Sequence, residues 1–145
     1  MTLNHYKDFL NHVRPLDMKE AELMTGEEPS LADFVDAEVL YDDETNEVYA
    51  VGGINFGYVK PVVWLLCTTR VEEHPVKFCR FTKDFLHNQW LRRISYLWNY
   101  VWLGNTLHVQ WLKWMGAKFF EIKMVNGEQF QRFEFSHFHK KEGES

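Results

Sequence analysis

Residues 97–119 of the chain read LWNYVWLGNTLHVQWLKWMGAKF, and this stretch decides the fold. Its first seven residues are rich in aromatic and β-branched side chains, which is typical of a strand. Gly104 and Asn105 then predict a turn into a helix, whose apolar residues recur at helical spacing and which ends at Gly116. The stretch therefore predicts a strand that leads directly into a helix.

The segment upstream predicts the other half of a strand–helix–strand unit. Residues 61–68, PVVWLLCT, are continuously apolar, as in a central strand that helices cover on both faces. Pro75 is well tolerated in the first turn of a helix, and an apolar face follows it. That face comprises Phe78, Phe81, Phe85, Leu86, Trp90 and Ile94. This order predicts two parallel strands joined by a crossover helix.

Both ends of the chain add elements to this centre. Tyr6, Phe9, Leu10 and Val13 predict a helix that ends before Pro15, and Asp17 is expected to cap a second helix that Gly26 ends. Two hairpins follow, one over residues 39–51 and one over 119–138 around Asn126-Gly127. Gly52 and Gly53 predict a bulge or a close backbone approach.

These elements predict an α/β fold with a mixed central sheet, flanking helices and a C-terminal β-hairpin. The length of 145 residues is that of one ordinary domain. We expect this domain to cover residues 1–140 and a frayed, charged tail to follow at 141–145.

Composition and charge exclude several classes of protein. The net charge of −5 argues against a dedicated nucleic-acid binder, which needs a basic surface. No apolar run reaches the length of about 18 residues that a membrane span needs. Cys67 and Cys79 lie in apolar surroundings, which favours reduced core thiols. We therefore expect no nucleic-acid partner and no membrane span.

The segment 97–119 also resembles a known family, the small internal virion proteins (internal core proteins) of T7-like phages. The motif LWNYVW, the triplet GNT followed by a histidine, and the later leucine, lysine and glycine stand at that family's spacing. Gly52-Gly53 fits the same family. The resemblance implies phage structural proteins or host proteins as partners, and a location in the virion interior or the infected host cytoplasm.

The same segment resembles the second coenzyme-binding stretch of N-acetyltransferases of the GNAT fold. There an asparagine opens the helix and a glycine closes it eleven residues later, as Asn105 and Gly116 do here. The resemblance implies a GNAT-like fold with acetyl-CoA between two diverging parallel strands. The pantetheine arm would pair with the backbone of Leu66, Cys67 and Thr68, and unpaired N–H groups there could polarise an acetyl carbonyl.

The chain departs from that enzyme pattern at the pyrophosphate loop. The corresponding residues 69–75, TRVEEHP, contain no glycine, and Glu72 and Glu73 would repel the pyrophosphate. Arg70, Lys77 and Arg80 are the cations that could compensate in part, although basic residues near a helix start are also commonly solvated surface. This segment is therefore expected to cradle a phosphate poorly.

Proton transfer is the second departure. Leu112 stands where many members of the fold place a tyrosine, and it fits a core position instead. His108 is the remaining candidate for a titrating group, with a packed or surface helix position as the alternative. His137 and His139 could share a strand face but lack a third ligand, and Asp42, Asp43, Glu44 and Glu47 suit a solvated turn. The sequence predicts no metal site.

Two functions remain open at this point. The first is a non-enzymatic virion or assembly protein that uses the acetyltransferase-like scaffold for protein contacts. It would explain the absent glycine loop, the absent tyrosine and a surplus of Phe and Trp residues between Phe78 and Trp114, some of which could form an exposed interface. The second is an active acetyl-CoA-dependent N-acetyltransferase that modifies a host or phage protein. Binding of acetyl-CoA separates the two.

Overall fold

The computed structural model describes residues 2–29, 34, 36–57, 59–91 and 94–136. The helices are α1 (Leu3–His12), α2 (Pro15–Thr25), α3 (Arg70–Glu73), α4 (Pro75–Phe85) and α5 (Thr106–Met115), and a π-helical turn, Leu86–Trp90, continues α4. The strands are β1 (Glu38–Tyr41), β2 (Val48–Asn55), β3 (Val62–Cys67), β4 (Tyr96–Trp102), β5 (Lys118–Val125) and β6 (Glu128–Ser136). None of the described helices combines the length and apolar character that crossing a membrane requires.

The six strands form one mixed sheet in the order β1-β2-β3-β4-β6-β5. The pair β3/β4 is parallel, whereas β1/β2, β4/β6 and β5/β6 are antiparallel. The mixed α/β fold is confirmed, and so is the parallel pair predicted on either side of α4. The chain divides into two compact units, a first of Met1–Ile54 with Trp64–Pro75 and a second of Asn55–Val63 with Val76–Ser145.

The first unit has a core between its two N-terminal helices and the sheet. Helix α1 begins after Thr2, whose side-chain oxygen accepts a hydrogen bond from the backbone N–H of His5 at 3.1 Å. Phe9 on α1 is fully buried and belongs to the core cluster that also contains Phe34, Ala37, Val48, Val51 and Leu66. Burying one phenylalanine contributes about 1.5–3 kcal/mol, so this contact holds α1 on the strands.

Helix α2 begins at Pro15, so the predicted cap at Asp17 is wrong. Arg14 occupies the N-cap position in extended conformation, and Pro15 is the first helical residue. The fixed φ of proline suits that position, which starts the helix two residues before Asp17. Asp17 lies inside the first turn with no exposed surface. The predicted end is confirmed, because Gly26 adopts a φ of 82° there.

Gly52 on β2 confirms the predicted close approach of backbone. A Cβ atom added at Gly52 would lie 2.7 Å from the carbonyl oxygen of Trp64 and 2.8 Å from Cδ1 of Leu65. No side chain fits there without displacing main chain. The irregularity in the β1/β2 register lies elsewhere, between Leu40 and Tyr41.

In the second unit α4 and α5 contact each other through aromatic residues. The rings of Phe78 and Trp111 stack with centroids 5.8 Å apart, and Nε1 of Trp111 donates to Oγ1 of Thr82 at 3.0 Å. Phe81 was predicted for the apolar face of α4 but is 50% exposed, with its ring against Phe85. The tight indole–hydroxyl contact brings α5 over Phe78 and Thr82, which turns Phe81 away from the core.

The parallel pair contains a side-chain bridge at Asn99. Val62 of β3 lies opposite Trp98 of β4. One residue further along each strand, Nδ2 of Asn99 donates to the carbonyl oxygen of Val63 at 2.7 Å, and Oδ1 of Asn99 accepts from the backbone N–H of Tyr100 at 2.7 Å. The amide side chain thereby satisfies one backbone group on each strand.

The second hairpin turns where the sequence predicts. Asn126 and Gly127 have φ angles of 51° and 80°, as a type I′ turn requires. Strand β6 ends at Ser136 among the described residues, and the predicted extension to Phe138 lies outside them.

Candidate coenzyme site

The residues that the acetyltransferase resemblance assigns to a coenzyme belong to both units. Leu66, Cys67, Thr68 and Arg70 lie in the first unit, and Lys77, Arg80, Asn105 and His108 lie in the second. Within the first unit, β3 ends at Cys67 and α3 begins at Arg70, so the four residues of this unit lie close together along the chain.

The backbone of Cys67 is occupied by the segment that joins α1 to α2. Its N–H donates to Oδ2 of Asp17 at 2.6 Å, and its carbonyl oxygen accepts from the backbone N–H of Arg14 at 2.9 Å. Beside it, the N–H of Thr69 donates to the carbonyl oxygen of His12 at 2.9 Å. The turn between α1 and α2 therefore runs along the edge of β3 as a short strand would.

The N–H and hydroxyl groups of Thr68, the residue that follows β3, also form hydrogen bonds within the chain. The N–H of Thr68 donates to the carbonyl oxygen of Tyr49 on β2 at 2.9 Å, and its hydroxyl donates to that of Val48 at 2.8 Å. Leu66 is buried in the core cluster of the first unit. The N–H groups of Cys67 and Thr68, which the resemblance pairs with pantetheine, both have partners within the chain.

Arg14 and Asp17 form a buried ion pair at this edge. Nη1 of Arg14 donates to Oδ1 of Asp17 at 2.5 Å, and Nε of Arg14 donates to Oε1 of Glu72 at 2.7 Å. Both residues of the pair are almost fully buried. Burial alone would lower the pKa of Arg14, but the hydrogen bond that Arg14 donates to Glu72 and the charge of Asp17 outweigh it and hold the pKa above its ordinary value.

Arg70, the first cation expected at the pyrophosphate, is turned to Asp8 instead. Its Nη1 and Nη2 donate to the two carboxylate oxygens of Asp8 at 2.6 and 2.9 Å, and Nη1 also donates to the carbonyl oxygen of Val48. A second carboxylate, that of Glu47, lies 3.1 Å from Nε. The hydrogen bond from Arg70 is the main cause that lowers the pKa of Asp8. With 8% exposure, this guanidinium is a structural group of the first unit.

The expected phosphate loop at residues 69–75 is a single helical turn. Residues Arg70–Glu73 form α3, with Glu72 and Glu73 in its first turn. Glu72 is fixed to Arg14, so a carboxylate stands where a phosphate cradle needs backbone N–H groups. The poor cradle expected from the absence of glycine stays a prediction, and the sequence did not reveal that the segment would be helical.

In the second unit the assigned residues sit on separate elements. Asn105 is fully buried at the N-cap of α5, where its backbone oxygen accepts from Val109. His108 is buried on the same helix with its ring near Trp111, which agrees with the packed alternative. Leu112 is a core residue as predicted. Lys77 and Arg80 are exposed on α4.

Three residues at the edge of β3 were missed from the sequence, namely Asp8, Arg14 and Asp17. Their partners lie 62, 58 and 50 residues away along the chain, so local spacing carried no signal for those contacts. The three-residue separation of Arg14 and Asp17 across Pro15 could have indicated their own ion pair.

The other candidates from the sequence are the acidic hairpin turn, the two cysteines and the C-terminal histidine pair. In the acidic hairpin turn, Oδ1 of Asp42 accepts from the N–H groups of Glu44 and Thr45, as in an ordinary polar turn. Cys67 and Cys79 are free thiols, and burial raises the pKa of Cys79. His137 and His139 lie outside the described residues.

The chain matches a known protein family over more than half of its length. Residues 38–122 match the family described as "Bacteriophage T7, probable scaffold protein Gp13". The chain belongs to this family. The match begins at β1 and reaches into β5, so it includes both strands of the parallel pair and the helices between and after them.

One relative in this family shows how much sequence is shared. The chain is 42% identical over 57 residues to the probable scaffold protein gp13 of Escherichia phage T7. This alignment covers 39% of the chain and 40% of the length of that relative.

Solved structures similar to this chain are acetyltransferases. A GnaT-family acetyltransferase from Bordetella pertussis superposes with a TM-score of 0.54 at 12% identity, over 72% of this chain and 68% of the other. The spermidine/spermine N-acetyltransferase SpeG of Vibrio cholerae has a TM-score of 0.53 at 9% identity, with coverages of 74% and 68%. At these identities the likeness establishes a GNAT-like fold and nothing about chemistry.

Proposed function

We propose that this chain is a non-enzymatic phage assembly protein that uses the GNAT-like fold as a scaffold for contacts with phage structural proteins. The family description, probable scaffold protein, supports an assembly role. The more specific placement inside the virion, implied by the resemblance of residues 97–119 to internal virion proteins, is part of the same proposal.

The observation that carries this proposal is the occupied backbone of Cys67. An acetyl-CoA arm pairing with β3 would have to displace Arg14 from the Cys67 carbonyl and Asp17 from its N–H. Displacement would break two buried hydrogen bonds, and each buried polar group left without a partner costs about 1–3 kcal/mol. Every 1.4 kcal/mol of such a cost weakens binding about tenfold.

The cations and the short helix beside this edge support the same conclusion. Arg70 is held by Asp8 and Glu47, and Glu72 adds negative charge at the start of α3. A pyrophosphate there would meet a carboxylate and no glycine-rich loop. The proposal therefore assigns Arg70 a structural role in place of a coenzyme contact.

Isothermal titration of the purified chain with acetyl-CoA tests the loss of coenzyme binding. We expect no heat of binding at ligand concentrations up to the millimolar range, with a SpeG-type acetyltransferase as positive control in the same buffer. Binding at micromolar affinity with one site per chain would overturn the non-enzymatic function. In that case Asn105→Ala and Arg70→Ala would identify whether the predicted residues hold the coenzyme.

The assembly role has a separate test in the phage that encodes the chain. Mass spectrometry of purified particles and of assembly intermediates should detect the chain in at least one of them at a fixed ratio to the capsid protein. Normal particles formed in an infection that lacks the chain, together with its absence from every intermediate, would contradict the assembly role.

A further inference from the structure

The net charge of −5 is the sum of opposite net charges on the two units. The stretches that make up the second unit contain 12 of the 16 Lys and Arg residues and 6 of the 21 Asp and Glu residues, a net charge of +6. The stretches of the first unit carry the remaining 4 basic and 15 acidic residues, a net charge of −11. The net charge of the whole chain disfavours a nucleic-acid partner, but the net charge of the second unit alone does not.

One sheet face of the second unit is aromatic. Tyr96, Trp98 and Tyr100 alternate along β4 and are half-buried, whereas Leu97 and Val101, which point to the opposite face, are buried. Alternate residues of a strand lie about 6.5–7 Å apart and point to the same face. The rings of Trp98 and Tyr100 meet edge to face with centroids 5.9 Å apart. We call Tyr96, Trp98 and Tyr100 the aromatic face.

Cationic side chains lie over this aromatic face. Nζ of Lys60 is 4.7 Å from the ring centroid of Tyr96, and Nζ of Lys123 is 4.0 Å from that of Tyr100. Both lysines are exposed. Cation–π contacts at exposed sites are weak, so a ligand that stacks on the rings can displace the ammonium groups and then pair with them.

Two acidic groups on the same face, Glu121 and Glu134, share one arginine, so these three groups carry one net negative charge against the two positive charges of Lys60 and Lys123. Glu134 lies opposite Trp98 in the β4/β6 register and forms an ion pair with Arg132, and Glu121 pairs with the same guanidinium at 2.7 Å. Burial, with a hydrogen bond to Glu134, raises the pKa of Tyr96 to about 12. The phenol therefore stays neutral at physiological pH and adds no negative charge to the face.

From this juxtaposition we infer that the aromatic face binds single-stranded nucleic acid, with bases stacked on Trp98 and Tyr100 and phosphates paired with Lys60 and Lys123. Aromatic rings spaced along a strand beside exposed cations suit consecutive unstacked bases, because every base has a π-face. A duplex hides its base faces, so it could contact only the lysines and not the rings. An acidic peptide would also contact only the lysines and would leave the aromatic face unused.

Fluorescence anisotropy with labelled dT20 and rU20 in low salt tests this inference on the full chain. We expect saturable binding, a roughly tenfold loss of affinity for Trp98→Ala, and no change for the control Trp114→Ala, whose exposed indole lies on α5. A comparable DNA and RNA affinity would indicate stacking without readout of the 2′-hydroxyl. Circular dichroism of each variant checks the fold.

A second pair of variants avoids the packed indole. Lys123→Gln should weaken binding and lower the slope of log affinity against log salt by about 0.7, whereas Lys113→Gln on α5 should leave both unchanged. Absence of binding to dT20 and rU20 overturns the inference. Equal competition by a DNA duplex or by polyglutamate also overturns it, as does equal weakening by the Lys123 and Lys113 variants. These results are independent of acetyl-CoA binding and of particle assembly.

Discussion

Asp17 is the residue on which the proposed loss of coenzyme binding depends most directly. Its two carboxylate oxygens are used in different ways, one on the guanidinium of Arg14 and the other on the backbone N–H of Cys67. A carboxylate with no exposed surface is tolerated only when charge and hydrogen bonds both compensate for lost water. The side chain of Asp17 therefore accepts a hydrogen bond from the backbone of β3 and also neutralises the charge of the buried Arg14.

Replacing Asp17 should destabilise the first unit strongly. We expect Asp17→Ala to lower the free energy of unfolding by about 3–5 kcal/mol, because Arg14 is left buried without its main counter-charge and Cys67 loses its acceptor. Urea denaturation followed by circular dichroism measures the change. The matched control is Glu72→Ala, whose carboxylate is half exposed and should cost about 1 kcal/mol or less. Equal effects of the two variants would contradict the role assigned to Asp17.

The ion pair of Asp8 with Arg70 predicts acid sensitivity. The pKa of Asp8 is lowered by that hydrogen bond, so its stabilising contribution is complete above the unfolded-state value of 3.8. The contribution is lost as pH falls through the lower pKa of the folded state. Asp8→Asn should therefore be less stable than the natural chain at pH 7, and the difference between them should shrink below pH 4. Thermal unfolding between pH 3 and pH 7 measures this, and a constant difference would contradict it.

The backbones of strands β2 and β3 approach each other closely at Gly52. Gly52→Ala would place a Cβ 2.7 Å from a main-chain oxygen of Trp64, whereas at Gly53 the nearest atom is the indole Nε1 of Trp64 at 3.1 Å. A backbone atom cannot move as a side chain can. We expect Gly52→Ala to cost about 1–3 kcal/mol or more and Gly53→Ala to cost less, as measured by denaturant unfolding. The reverse order would show that the strands can shift.

The sequence predicted elements better than it predicted their ends and contacts. The parallel pair, the crossover helix and the Asn126-Gly127 turn follow from periodicity and turn chemistry, which are local properties. The start of α2 was misplaced because Asp17 was interpreted as a cap, although Pro15 two residues earlier already fixes a helical φ. The helical state of residues 70–73 was missed because four residues give no periodic pattern.

For the candidate site, the sequence showed local features but not the long-range contacts. The missing glycines of residues 69–75 and Leu112 are visible in the sequence and support the proposed loss of coenzyme binding, and the core position predicted for Leu112 is confirmed. The occupation of Cys67 by the turn between α1 and α2 depends on contacts across 50 or more residues, for which one sequence carries no pattern. Exposure of Phe81 was missed for a related reason, since helical spacing does not show which of several aromatic residues a neighbouring helix covers.

The whole molecule has a GNAT-like fold, belongs to a phage scaffold-protein family and has an uneven distribution of charge along its sequence. The similarity to acetyltransferases at about 10% identity extends over roughly 70% of the chain, so the architecture persists with little shared sequence. The fold alone does not imply the reaction. The two units differ in net charge, −11 for the stretches of the first and +6 for those of the second.

The backbone amide of Cys67 gives the most direct test of the account, since the proposed loss of coenzyme binding depends on that group being bonded within the chain. In ¹⁵N-labelled protein we predict that this amide exchanges slowly with deuterated solvent and that its NMR resonance stays in place when acetyl-CoA is added to millimolar concentration. Rapid exchange of the Cys67 amide, or a saturable shift of its resonance with acetyl-CoA, would contradict the account.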